Sequence, residues 1–111
     1  MSYHFQVFRY AAISTRHLRD QDTQLLTRLA AATAESDLAL YQTNINVLLQ
    51  DSAGWLVNIG NDFDAEHQAD LKEAGFSPEF AELIYQLACQ HIDYVLLNED
   101  GYELDEAPLF H

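Results

Sequence analysis

Apolar and polar residues alternate through the opening stretch YHFQVFRYAAIS: Tyr3, Phe5 and Val7 face one way, His4 and Gln6 the other, and Phe8 and Tyr10 then make the second side aromatic. This period-two pattern predicts a strand. After the loop STRHLRD, Leu25, Leu26, Leu29 and Ala30, with Thr33 a turn further on, recur at helical spacing and predict a helix over 20–34. The stretch DLALYQTN reads as an extended lead-in. It opens onto the clearest local signal, Ile45, Val47 and Leu49 on one side of a turn and Trp55, Val57 and Ile59 on the other, a β-hairpin closed by residues 51–54 with Gly54 in a left-handed backbone. A short helix starts after Asp62 or Asp64 and stops at Gly75, a C′ residue. Ser77 as N-cap, Pro78 at N1 and Glu79 in the first turn then open a second helix, with Phe80, Leu83, Ile84, Leu87, Ala88 and His91 on its apolar stripe. The near-continuous apolar run DYVLLN, bounded by the turn NEDG, predicts a central buried strand.

The resulting βαββαβ order predicts an α+β fold: a four-stranded antiparallel sheet with helices on one face, the split βαβ or ferredoxin-like arrangement. Such a sheet leaves its other face open, and Phe8, Tyr10, Leu48 and Leu56 fall on that side. The cluster predicts either a dimer or partner surface or a site covered by the C-terminal segment.

Composition narrows the function. With 111 residues, 49% of them hydrophobic, the chain is long enough to close a core without disulfides, and one domain over 1–111 is expected. The single Cys89 forms no internal disulfide, the chain opens with no secretory pattern, and a cytoplasmic protein is the expectation. No apolar run reaches bilayer-spanning length, and a net charge of −13 opposes anionic lipid and phosphate backbones alike. The charge is uneven. Residues 1–28 hold Arg9, Arg16, Arg19 and Arg28 against Asp20 and Asp22, whereas residues 29–111 hold 16 carboxylates against Lys72. A solvated, solubilising surface accounts for such a surplus as readily as a binding surface does.

No catalytic motif is complete. Asp62, Asp64, Glu66, Gln68, Asp70 and Glu73 fall at the ligand positions of a calcium loop, but His67 stands where the loop needs Gly, so no metal site is expected. The five His residues show no zinc spacing. Cys89 and His91 point apart on a helix, and His91 reads as a structural residue on the buried stripe near the helix end. Ser14, Thr15 and His17 bring hydroxyls near an imidazole, although hydroxyls at a strand-to-helix turn more often tie up backbone amides. No cofactor motif is present.

ISTRHL after an opening strand, Gly54-Trp55 in a hairpin, LIYQLACQHIDYVLLNEDG and a closing APLF together resemble a family of short uncharacterised bacterial proteins from plasmids, integrative elements and phages. The resemblance implies a Ser-Thr-x-His-Leu stretch, matched by Ser14, Thr15, His17 and Leu18; a Gly-aromatic hairpin at Gly54 and Trp55; and a D-x-D-G turn matched at Asp100 and Gly101. Asn98 replaces the first acid of that turn, and Ala107-Pro108 stands for the usual Leu-Pro. It implies no activity, only a setting in which proteins act against host defence or regulate transfer.

The functional expectation is a non-enzymatic inhibitor, of anti-CRISPR or anti-restriction type, that occupies a basic nucleic-acid-binding surface of a host defence complex by substituting carboxylates for phosphates. The expected surface gathers Asp62, Asp64, Glu66, Glu73, Glu99, Asp100, Glu103, Asp105 and Glu106 on one side, with Trp55 and Tyr102 as aromatic anchors. The closing segment is expected to lie on the domain through Tyr102, Leu104, Leu109 and Phe110. The alternatives are a structural or accessory protein, monomer or homodimer, using the open sheet face, and a hydrolase or nucleotidyl enzyme built on Ser14, Thr15, His17 and Asp100.

Overall fold

The computed structural model describes residues 3–31, 43–60, 62–105 and 107–110. Within them the order is β1 (Tyr10–Ser14), a 3-10 turn (Thr15–His17), α1 (Asp20–Ala31), β2 (Ile45–Asp51), β3 (Gly54–Ile59), α2 (Ala65–Glu73), α3 (Pro78–Cys89) and β4 (Tyr94–Asn98). The α+β class is as expected, but the sheet is mixed, not antiparallel, and its order is β1-β4-β3-β2. β4 pairs parallel with β1 and antiparallel with β3, and β3 pairs antiparallel with β2.

The departure from the split βαβ arrangement comes from helix parity. A single crossover helix would bring the last strand in parallel to β3. Here α2 and α3 carry the chain out and back, so β4 starts at the end of the sheet where β3 stops; there the Ile59 amide donates to the Asp93 carbonyl at 2.9 Å. β4 therefore runs opposite to β3 and along β1. Its apolar run takes the interior slot, with Val95 and Leu97 fully buried.

The expected first strand is shortened. Residues 3–9 lie outside the sheet, because β4 begins only at Tyr94 and offers nothing upstream to pair with. The last fastening is at Arg9, whose amide donates to Asp93 Oδ2 at 2.7 Å and whose carbonyl accepts from the Asp93 and Tyr94 amides. The end of the first helix beyond Ala31, most of the expected lead-in over 37–44, and Glu106 fall outside the described residues.

One sheet face meets the helices. Ile13, Ile45, Val57, Ile59, Val95 and Leu97 share a core with Leu25, Leu26, Leu71, Phe76, Phe80, Ala81, Ile84 and Leu87, and Phe76 stacks on Phe80 at 4.7 Å. Local chemistry sets the helix ends. Asp64 caps α2 by accepting from the Glu66 and His67 amides, and Ser77 caps α3 by accepting from the Phe80 amide with Pro78 behind it. α2 stops in a Schellman turn around Gly75, where the Phe76 amide donates to the Leu71 carbonyl. α3 stops the same way, but with His91 at the left-handed position (φ 61) and the Ile92 amide donating to Leu87. His91 is thus exposed beyond the helix end, not on its buried stripe. In the hairpin, Asp51 Oδ1 accepts from the Ala53 and Gly54 amides. A side chain at position 54 would overlap the Leu97 carbonyl of β4, which accounts for the glycine.

Candidate functional site

The residues of the STRHL stretch, the NEDG turn and the APLF end converge at one edge of the sheet. β1 ends at Ser14, whose amide donates to the Tyr102 carbonyl at 2.9 Å, and Ile13 forms a parallel bridge with Tyr102. Gly101 lets the chain come this close, since a Cβ there would strike the Ile13 carbonyl. His17, only 4% exposed, grips the chain beyond Tyr102: Nδ1 donates to the Pro108 carbonyl and Nε2 accepts from the Leu104 amide, each at 2.8 Å. That pair of partners selects the neutral ring with its proton on Nδ1. The Phe110 amide donates to the Arg16 carbonyl at 2.7 Å, and the Arg19 guanidinium lies 4.2 Å over the Phe110 ring. The closing segment is therefore fastened to the domain. Leu104 packs against the core, whereas Tyr102 and Leu109 stay exposed.

A second buried polar clasp lies beside it. Asp22, fully buried in the first turn of α1, accepts from the Ser77 amide (2.7 Å), the Ser77 hydroxyl (2.6 Å) and the Arg19 amide (3.1 Å). It joins the starts of α1 and α3, satisfying donors that no helix can satisfy itself. An acid in the first turn is visible in the sequence; its partner 55 residues away is not.

The expected acidic residues fall into two groups. Asp62, Asp64 and Glu66 stand where β3 passes into α2, at the end of the sheet where β4 begins. Glu99, Asp100, Glu103 and Asp105 lie past the other end of β4, about 17 Å away at 3.3 Å per strand residue. Glu73 ends α2 on that second side: the carbonyl of Gly75, two residues on, accepts from the Gln21 side chain at the start of α1, just beyond the end of β1. Among the described residues the expected acids thus form two groups and not one continuous patch. Glu103 is paired with Arg16 at 2.6 Å. Glu79 Oε1 accepts from Arg19 Nη2 at 2.7 Å and from Nε at 3.1 Å, and these bonds hold the Glu79 carboxyl below its ordinary range and raise Arg19. Tyr102, Leu104 and Asp105 face α3 across a groove that Glu79, Glu82 and Leu83 also line. Bonds from the Gln86 and Gln68 amides lower the Glu82 carboxyl.

The arrangement around Ser14, Thr15 and His17 does not assemble a nucleophile and base. Both His17 nitrogens are taken by backbone groups, and Ser14 Oγ accepts from the Arg16 amide at 3.1 Å, tying up a loose backbone donor at the turn. Asp100 lies in an exposed turn and orders nothing near the imidazole. Glu66, Gln68, Asp70 and Glu73 are on a helix and cannot wrap an ion. No group of three or more His, Cys, Asp or Glu placed to hold a metal occurs among the described residues. Cys89 is exposed, and its hydrogen bond with Tyr85 pushes the phenol above its ordinary value.

The bare face of the sheet holds a shallow apolar hollow of about 570 Å³, lined mainly by Tyr10, Leu48, Leu49, Leu56, Tyr94 and Leu96. A bulge between Val47 and Leu49 turns Leu49 outward opposite Leu56. Trp55 belongs to the other alternation, half-buried against the core, with its indole Nε1 unpartnered among the described residues. No helix among the described residues is long and apolar enough to cross a membrane.

No curated protein and no solved structure matches the chain. A family model matches residues 10–111, from the first residue of β1 to beyond the clasped segment, and the chain therefore belongs to the family of unknown function DUF5983, of which this stretch is the C-terminal domain.

Proposed function

We propose that the domain is a non-enzymatic binding protein that presents carboxylates to a basic protein surface, one that otherwise holds nucleic acid. Its setting is the cytoplasm, and its target is a host defence complex of CRISPR or restriction type, in keeping with the mobile-element resemblance. The observation that carries this reading is the fastened closing segment: Glu99, Asp100 and Asp105, with the exposed Tyr102, are displayed on a chain that His17 and the Ser14 amide hold in place. A pre-ordered acidic segment binds without the entropic cost of ordering a free tail. Arg16 and Arg19 support it from behind, one engaged by Glu103 and the other by Glu79 and the Phe110 ring. Asp62, Asp64 and Glu66 lie too far round the domain to share that contact, and together with Glu73 at the end of α2 they contribute long-range attraction to the approaching cation surface.

The test is displacement. A purified restriction or CRISPR surveillance complex is loaded with labelled DNA, and the chain is titrated in over a salt series. The expected result is DNA release that weakens as salt rises, with at least about a tenfold loss of potency when Glu99, Asp100 and Asp105 are changed together to Gln, Asn and Asn. Release indifferent to salt, or to those three changes, would overturn the reading.

A further inference from the structure

The bare sheet face and the segment ahead of β1 are complementary in ways that neither serves within one copy. Residues 3–9 carry Tyr3, Phe5 and Val7 at 76, 80 and 81% exposure, the largest among the large apolar side chains of the described residues. Their period-two spacing puts all three on one side of an extended chain, and the Tyr3 and Phe5 rings already lie 6.2 Å apart. The hollow leaves Tyr10 and Leu49 at 68 and 67% exposure. Only Phe8 of the arm reaches its own face, meeting the Tyr94 ring edge-on at 5.7 Å. That contact shows that the face accepts an aromatic side chain from this segment. Arg9, fixed on both sides by Asp93 and Tyr94, then sends the rest of the arm off the sheet edge.

We propose that residues 3–7 of one copy lie across the Leu49, Leu56 and Leu96 face of a second copy, and that the second copy's arm does the same in return, giving a symmetric arm-exchanged pair. Charge favours this occupant. The first 19 residues contain no Asp or Glu, and the arm carries Arg9 and His4, whereas the charged residue lining the hollow is Asp51. The arm is thus the part of the chain that can approach so acidic a body without like-charge repulsion, and its side chains match the apolar floor. The two bodies repel each other, so the pair tightens as salt rises. This is the opposite sign to DNA displacement, so the two readings fail separately.

Sedimentation velocity over a wide concentration range tests the exchange with Phe5→Asp and Leu49→Asp, both at exposed sites that leave the core untouched. The expected result is a monomer–dimer equilibrium for the unchanged chain, weakened at least about tenfold by either substitution. Mixing the two variants restores association, because one intact arm then meets one intact face. A chain that stays monomeric at all concentrations, one that pairs as well with Phe5→Asp as without it, or a mixture that does no better than its components would overturn the proposal.

Discussion

Leu96 and Leu97 are neighbours on β4 and share the same chemistry, yet they live in different solvents. Leu97 points into the helical layer and is fully buried, whereas Leu96 points onto the bare face and is only partly buried. Their cross-strand partners repeat the contrast, Trp55 packed on the core beside Leu97 and Leu56 lining the hollow beside Leu96. Apolar side chains on the covered side hold the domain together. Those on the bare side add little to folding, and it is on them that the proposed exchange seats the arm of a second copy.

The contrast can be broken most directly by truncation. Leu97→Ala is expected to cost about 2–5 kcal/mol in denaturant unfolding, the range for a buried leucine leaving a cavity, while Leu96→Ala costs under about 1 kcal/mol. Equal costs would mean that the second face is covered in solution even at concentrations where the chain is monomeric. Next in size, Asp22→Ala removes the acceptor of three buried or half-buried donors and is expected to cost about 3 kcal/mol. Ser77→Ala should then add only the loss of its cap on the Phe80 amide, about 1 kcal/mol and less than it costs in the unchanged chain, a non-additivity that a double-mutant cycle reads.

His17→Ala strands the Leu104 amide and the Pro108 carbonyl, an expected loss of about 2 kcal/mol. Its sharper signature is local: amide exchange accelerates over residues 102–110 and at Ser14 while the α3 amides keep their protection. The smallest effect lies on the outer rim of the helical layer. Because Arg19 holds the Glu79 carboxyl below its ordinary value, the pair's contribution is present at neutral pH and fades as the solution is acidified through that lowered value. Arg19→Ala and the unchanged chain should therefore differ slightly at pH 7 and converge in acid, read as the gap between two pH–stability curves.

The legible part of the sequence is local. Ser77-Pro78, Gly75 and residues 51–54 mark helix and turn ends because each works through its own backbone. The apolar run of β4 announces an interior strand, and the alternation of Phe8, Tyr10, Leu48 and Leu56 places them on the open side, where the structure has them. Features that escape depend on distant partners. The alternation of Tyr3, Phe5 and Val7 is a real strand pattern with no strand beside it, and the direction of β4 turns on whether one helix or two intervene. At the candidate site, the STRHL and NEDG residues stand out as motifs, but their meeting through His17 and Gly101 is not visible in either one. Nor is the separation of the acidic residues into two groups, since that depends on which end of the sheet each loop occupies. Membership of a family of unknown function agrees with one part of the resemblance drawn from those short motifs, that the family is uncharacterised.

The parallel pairing of β1 with β4 joins residues 84 apart, with β4 lying between the earliest strand and the hairpin. A nascent chain consequently leaves the ribosome with β1 and the hairpin unable to share a sheet until the residues of β4 have emerged. During synthesis, the apolar sides of those early strands are matters for chaperones and for the speed of translation. A pause before β4 would prolong the period in which they can aggregate.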